Sequence, residues 1–421
     1  MDSQKVWEAI VVGSGPSGSI ASMYLAKALG KQNVLLLDKA KFPRDKICGD
    51  AQGRKAAAIL KELGIYEGYT ELPGQKIYGI TLSSPNGTMV SVDVTDRSNP
   101  APGYTHRRQV FDNYLHANAE KATTFKLFTV TEPLIENGVV KGVKGKNEQG
   151  QEEALHAKIV LACDGANSTL SQKFGFNTNP PDHFIVATRQ YWKGVTGCTD
   201  RIEIHLVKHL IPGYFWIFPM GNGEVNVGLG MITEDKNKLN INLRDAQLKE
   251  IANNPLFKER FKNATALEDV KGWSLPVASY HRKNYANGII FLGDAASLID
   301  PLSGEGVGNA MISGRIGAKV ALEALKANDA SEKFLQKYDQ ELWSILGEEV
   351  ATAYKLQILG KKFPFLIDNV MGKAAKDEKF RKRFESMLPY TGGRKEISGD
   401  SFLQELGAST TQIAEIKQAG F

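Results

Sequence analysis

The chain has 421 residues, 42% hydrophobic and 24% charged, the balance of an ordinary globular protein, which excludes disordered, collagen-like and coiled-coil chains. At ~150 residues per domain the length predicts two or three domains around a sizeable core. A net charge of +5 without basic residues spread along an aromatic-studded face excludes a general nucleic-acid-binding surface.

In chain order, the first element is an apolar strand, Ala9 to Gly13, followed by a glycine turn, a helix of small and apolar residues, and a second apolar strand, Val34 to Asp38. That succession is a βαβ unit. The uncharged run from Ala9 to Ala26 spans 18 residues but contains Gly-Ser-Gly-Pro-Ser-Gly-Ser, so it reads as neither signal peptide nor membrane span. Within it, Gly13, Gly15 and Gly18 form Gly-x-Gly-x-x-Gly, and Asp38 closes the next strand 20 residues after Gly18. In that setting Gly13 makes the tight turn, Gly15 admits a pyrophosphate to the backbone, Gly18 packs helix on sheet, and Asp38 accepts from a ribose hydroxyl. A dinucleotide is expected, with NAD or FAD still open.

Residues 75–95 and 182–232 alternate as the strands of a separate antiparallel sheet, with aromatics at Tyr191-Trp192 and from Tyr214 to Phe218. Two more buried strands end in acids, Lys158 to Asp164 and Gly288 to Asp294. After the second comes Asp300-Pro301-Leu-Ser-Gly304-Glu-Gly306-Val307-Gly308-Asn309, the glycine-rich start of a helix, whose free N–H groups and positive dipole end suit an anionic reduced flavin ring. From there the chain reads as helical to its end, with loops at Gly392-Gly393 and Ser398-Gly399. Between Lys355 and Arg383 nine Lys/Arg face three Asp/Glu, and Phe363, Leu366, Ile367, Val370 and Met371 fall on one helical face with Pro364 in the first turn. Packing on the body of the protein, or contact with an anionic membrane surface, would each use that face.

Three cysteines, Cys48, Cys163 and Cys198, are too few and too scattered for a disulfide framework, an iron–sulfur cluster or a thiolate metal site. A reduced cytoplasmic protein is expected, with any membrane contact peripheral, and no metal.

The Gly13–Gly18 loop, the stretch Phe42-Pro43-Arg44-Asp45-Lys46-Ile47-Cys48-Gly49-Asp50, Arg108-Gln-Val-Phe111-Asp112, Asp164-Gly165 and Gly293-Asp294 through Met311 together resemble the FAD-dependent oxidoreductases of the p-hydroxybenzoate hydroxylase fold. Lys-x-Cys-Gly, with Tyr214-x-Trp216-x-Phe218-Pro219 and Gly228-Leu229-Gly230, is similar to the geranylgeranyl reductase subgroup. One departure stands out: that subgroup carries proline three residues before the tyrosine, and here Ile211 is there, with Pro212 next. The resemblance implies an α/β fold with an α+β insert. A discontinuous Rossmann-like FAD-binding domain would span 1–75, 100–180 and 270–330, an antiparallel-sheet substrate domain 76–99 and 181–269, and a helical C-terminal region 331–421. It further implies Asp38 at the adenosine ribose, Arg44 and Arg108 along the cofactor, Asp294 at the ribityl chain or pyrophosphate, and Gly304 to Asn309 at the flavin ring. Pro16, Ser17, Lys39, Cys48, Gly49, Asp164, Gly165, Gly293, Pro301, Gly306, Val307 and Gly308 complete the expected cofactor set. Tyr214, Trp216 and Phe218 are the expected substrate residues, with Cys48, Tyr214 and Trp216 as catalytic candidates.

The implied reaction is hydride transfer from reduced FAD to a carbon–carbon double bond of an isoprenoid or other apolar lipid, with a proton delivered to the second carbon. Cys48 and Tyr214 are both placed to supply it. The electron donor is NADPH or a ferredoxin; no second Gly-x-Gly-x-x-Gly follows a strand, so NADPH would visit a surface groove. Competing readings are a flavin hydroxylase, a halogenase with Lys76 as its lysine, and a non-catalytic flavin-bearing scaffold.

Overall fold

Strands that read as unbroken apolar runs should be covered on both faces, and they are. In a computed structural model, which describes residues 5–95, 102–388, 396 and 399–418, strand Val6–Val12 has parallel neighbours on both sides, Val34–Asp38 and Glu152–Ala162. Strand Thr124–Glu136 extends the sheet beyond Val34–Asp38, and Ile289–Phe291 extends it beyond Glu152–Ala162, both in parallel. Antiparallel Val139–Asn147 links the long strands on either side of it, and Tyr285–Ala286 completes a seven-stranded sheet. Ala9, Ile10, Val11, Leu36, Ile159 and Ile290 have no exposed surface. Helix Pro16–Leu29 crosses helix Val307–Ala327 closely: a Cβ on Gly314 would stand 2.5 Å from the Ser17 carbonyl.

The second sheet has eight strands, and it follows the period-two pattern expected of a sheet with two different faces. Along Tyr214–Gly221, Phe215 and Ile217 join Val225, Val227 and Leu229 in a core beneath helix Leu243–Asn253, while Tyr214, Trp216 and Phe218 point the other way. The sheet is not wholly antiparallel: Arg201–His205 pairs in parallel with Gly79–Ser83. Two boundaries also move. Lys271–Pro276, expected with the cofactor part, pairs with Phe184–Lys193 of this sheet. Strand Gln75–Ile77, which the expected boundary between residues 75 and 76 would divide, joins Ala51–Gln52 and Gly103–Thr105 in a small third sheet. Chain connectivity is a poor guide here, because both segments lie at crossings between the sheets.

The C-terminal region runs from the 31-residue helix Glu332–Lys362 through Phe365–Lys376, Glu378–Met387, Asp400–Glu405 and Thr410–Gln418. The expected amphipathic helix forms, and its apolar face is spent on packing. Leu366 and Met371 are buried with Phe380, Phe384 and Phe402 against Val90 and Val92, and Phe363, Ile367 and Val370 lie against the same cluster. One face of the edge strand Met89–Asp93 is thereby covered, and at its end Glu385 accepts from the Asp93 main-chain N–H at 2.6 Å. Gly392, Gly393 and Ser398, expected in loops, lie outside the described residues. Among the described residues, no helix is long and apolar enough to cross a membrane.

Candidate active site

The glycine loop is shaped by close approach. Gly13 has φ +101°, and a Cβ there would stand 2.4 Å from the Cys163 carbonyl; at Gly18 a Cβ would meet the Gly13 carbonyl at 1.8 Å. At Gly15 it would meet only Arg44 Nη2, at 3.6 Å, so that position opens into free space at the start of helix Pro16–Leu29. Asp38, at the end of its strand, accepts from the main-chain N–H of Ser14 at 2.7 Å and of Ala40 at 2.8 Å.

One cavity of about 760 Å³ runs from this loop to the second sheet, lined at one end by Gly13, Gly15, Asp38 and Arg44 and at the other by Tyr214, Trp216, Phe218, Leu275 and Ile204. The aromatic wall depends on register. Trp216 lies opposite Gly228, and Tyr214 opposite Gly230. A Cβ on Gly228 would come within 2.0 Å of Trp216 Cζ2, so the indole occupies space that only glycine leaves. Tyr214 donates its hydroxyl hydrogen to the Ser303 carbonyl at 2.7 Å, and burial pushes its pKa up. That bond ties the sheet to the Asp300–Gly304 loop, where Asp300 Oδ1 accepts from the N–H groups of Leu302 and Ser303.

Between the two ends lies the stretch from Arg44 to Asp50. Arg44 pairs with Asp112 at 3.0 Å, and Arg108 forms a fork on the same carboxylate at 2.6 and 2.8 Å. Arg108 and Cys48 line the cavity together, and the Asp112 carboxylate holds the Arg108 pKa up against its burial. Cys48 itself is half-buried and lines the cavity. Lys46 stands 4.1 Å over the Trp273 ring and 3.8 Å from Asp294 Oδ2; burial lowers its pKa against the pull of Asp294. Asp50 has no exposed surface, and that burial raises its pKa to about 6 although Tyr191 and Asn226 both donate to it.

Of the expected residues, Gly13, Gly15, Pro16, Ser17, Asp38, Lys39, Arg44, Cys48, Gly49, Arg108, Asp164, Gly165, Asp294, Pro301, Gly304, Gly306, Val307, Tyr214, Trp216 and Phe218 all line the cavity. Four do not. Gly18 packs on Gly13, Gly293 on Ser17 and Ala310, and Gly308 on Lys55 and Glu305. Asn309 is buried, its amide donating to the Leu298 carbonyl and its oxygen accepting from Lys55 Nζ. Their neighbours in sequence reach the cavity while they serve helix packing. Lys76 is exposed on the small third sheet and is not among the lining residues, so the lysine of the halogenase reading is not at this site. The residues not foreseen are Lys46, Asp50, Arg189, Asn226 and Trp273. Lys46 and Asp50 flank Cys48 in the quoted stretch; no local pattern marks the other three.

The chain suits a flavin dinucleotide. Open space at Gly15, the N-terminus of a 14-residue helix beside it, and Arg44 facing it are the requirements of a pyrophosphate. The second glycine-rich helix start, at Gly306 and Val307, opens onto the same cavity, and the buried indole N–H of Trp273, another lining residue, has no partner among the described residues.

Comparison with known proteins agrees. A model of the FAD binding domain family matches residues 7–349. The chain is similar to a digeranylgeranylglycerophospholipid reductase of Methanocella arvoryzae, 33% identical over 88% of this chain and 90% of that protein. Among solved structures it is similar to a geranylgeranyl bacteriochlorophyll reductase-like protein from Thermoplasma acidophilum, with 25% identity and a TM-score of 0.79 over 96% of this chain and all of the other. A flavin-dependent brominase variant shares the fold, at 22% identity and a TM-score of 0.75 over 98% of both chains.

Gly15→Val should fold, because its side chain enters open space, yet retain FAD about tenfold less well, because that space is where the pyrophosphate approaches the backbone. The ratio of flavin absorbance to protein after gel filtration measures this; an unchanged ratio would remove Gly15 from the cofactor site.

Proposed function

The chain belongs to the FAD binding domain family and, within it, with the digeranylgeranylglycerophospholipid reductases, and from that membership we propose that it saturates carbon–carbon double bonds in the prenyl chains of a lipid. It is an FAD-dependent oxidoreductase. The observation that carries the substrate reading is the single cavity, which leads from the glycine loop without interruption to an apolar wall of Tyr214, Trp216, Phe218, Leu275 and Ile204. A prenyl chain suits such a wall, since burying each methylene contributes ~0.8 kcal/mol.

Bound FAD, once reduced by ferredoxin or NADPH, supplies a hydride. The protein's part is to bind, orient and protonate. In this reading Gly13, Gly15 and Arg44 hold the pyrophosphate and Asp38 the ribose, while Asp294 and the helix start at Gly306 and Val307 face the flavin portion. Residues of 1–75, 100–180 and 277–330 thus serve the cofactor, and the second sheet serves the substrate. Tyr214 is engaged as a donor to Ser303 and orders the Asp300–Gly304 loop. The proton for the second carbon is assigned to Cys48, whose thiol borders the cavity beside Arg108. Trp216 and Phe218 hold the chain and exclude water.

Peripheral contact with an anionic membrane falls to exposed Lys362, Lys376 and Lys379, because the apolar face of helix Phe365–Lys376 is covered. Each such lysine near the surface contributes ~1 kcal/mol. The protein should therefore sediment with anionic vesicles and release in high salt, without sedimenting with neutral ones; equal behaviour with both would remove the contact.

The reaction is tested by mixing chemically reduced enzyme with a geranylgeranyl lipid under strict exclusion of oxygen. Flavin should reoxidise as the lipid gains two mass units per event. Reoxidation that waits for oxygen and yields a product 16 units heavier would overturn the reading in favour of a hydroxylase. Cys48→Ser should keep its FAD and reoxidise about 10²-fold more slowly, the scale of a lost general acid; wild-type turnover would return Cys48 to a packing role.

A further inference from the structure

Two residues with no exposed surface, Asp50 and Asn226, touch both of the faces assigned to chemistry. Asp50 has φ +66°, a conformation that aspartate tolerates better than most residues. Its Oδ1 accepts from the main-chain N–H of Arg108 at 3.1 Å, and its Oδ2 from the Tyr191 hydroxyl at 2.5 Å and from Asn226 Nδ2 at 2.8 Å. Asn226 Nδ2 also donates to the Cys48 carbonyl at 2.7 Å, and Asn226 Oδ1 accepts from the Trp216 indole at 2.9 Å. One amide therefore joins the Cys48 loop, the Trp216 ring and a buried carboxylate, using donor and acceptor together. Among side chains of this size only asparagine offers two donors and an acceptor on one rigid plane.

We propose that Asp50 and Asn226 are a positioning pair that sets where the Cys48 main chain and the Trp216 indole stand against the cavity. The pair acts through those two residues, and the proposal rests on the reading that double bonds are reduced there. The charged and titratable groups facing Asp50 are Tyr191 and Arg189 from strand Phe184–Lys193 and Arg108 from helix Arg108–Ala122. Strand Glu224–Ile232 presents Asn226, which is neutral.

Asn226→Asp keeps the size and the acceptor for Trp216 but replaces the donor with a second carboxyl facing Asp50. Burial and the second carboxyl together favour one proton held on the pair, which can serve Asp50 or the Cys48 carbonyl but not both, as the amide does. For anaerobic flavin reoxidation by the lipid, kcat at pH 8 should fall about tenfold, with KM within about twofold and FAD bound in full. The loss should persist in Asp50→Asn/Asn226→Asp, which again sets an amide opposite a carboxylate but leaves the Cys48 carbonyl facing an acceptor. A readout independent of the lipid is the rate at which iodoacetamide alkylates Cys48, followed by peptide mass with Cys198 as the internal reference; it should rise several-fold in Asn226→Asp at pH 8. If that variant does not fold, Asp50→Asn alone should raise the same rate. Wild-type kcat and alkylation in the variants, or full recovery in the double variant, would overturn the pair. A wild-type enzyme inert toward prenyl lipids would instead overturn the proposed function and leave the alkylation result to judge the pair.

Discussion

A carboxylate without exposed surface must find all its partners inside the protein, and Asp50 finds them on three separate elements. Its hydrogen bonds reach the start of helix Arg108–Ala122 and two strands of the second sheet. Five residues earlier, Asp45 pairs with Arg189 at 2.7 Å, and Arg189, 1% exposed, is held by Glu268 on its other side. The segment between the two sheets is thus pinned at both ends onto strand Phe184–Lys193. Only Arg189 is buried in that pair; the Asp45 side chain is 39% exposed, so solvent screens part of the attraction. Everything facing the cavity from this segment, Lys46 and Cys48 included, inherits its position from those contacts.

Tyr191 shows how closely this region is matched. Its ring has the Arg107 guanidinium 4.1 Å from its centroid and that of Arg189 at the same distance, while its hydroxyl serves Asp50. On the next two strands the matching is steric. Trp216 and Tyr214 face glycines across the ladder, so the aromatic wall lies flat on the sheet and leaves the cavity open. Side chains at Gly228 or Gly230 would push the rings into the space a ligand needs.

The C-terminal helices take part as well. Glu349 and Gln357 of helix Glu332–Lys362 line the cavity, and Lys55 pairs with Glu349 at 2.8 Å while reaching Asn309. Much of the basic charge of this region is engaged internally: Lys361 with Asp235, Lys373 with Glu405, and Arg383 with Glu396 and Glu405. A net excess of positive charge in sequence therefore overstates the charge left free at the surface.

From sequence alone the cofactor class and the general architecture were determined, because they rest on local chemistry. Gly13, Gly15 and Asp38 need only a strand, a turn and a helix in succession, and the aromatic and glycine motifs read the same way along one strand pair. Spacing within a few residues carries that information. It does not distinguish Gly306 and Val307, which reach the cavity, from Gly308 and Asn309, which meet Lys55, since about two residues, half a helical turn, separate opposite faces. Nor does it assign Lys271–Pro276 to the second sheet or Gln75–Ile77 to the third, because strand partners are chosen by pairing over long distances. The amphipathic face of Phe365–Lys376 was plain in the sequence, but what it covers was decided by Val90 and Val92, some 275 residues earlier. Asn226 is the clearest case: a single neutral residue without motif or charge, its place between Cys48, Asp50 and Trp216 exists only once three separate elements have met.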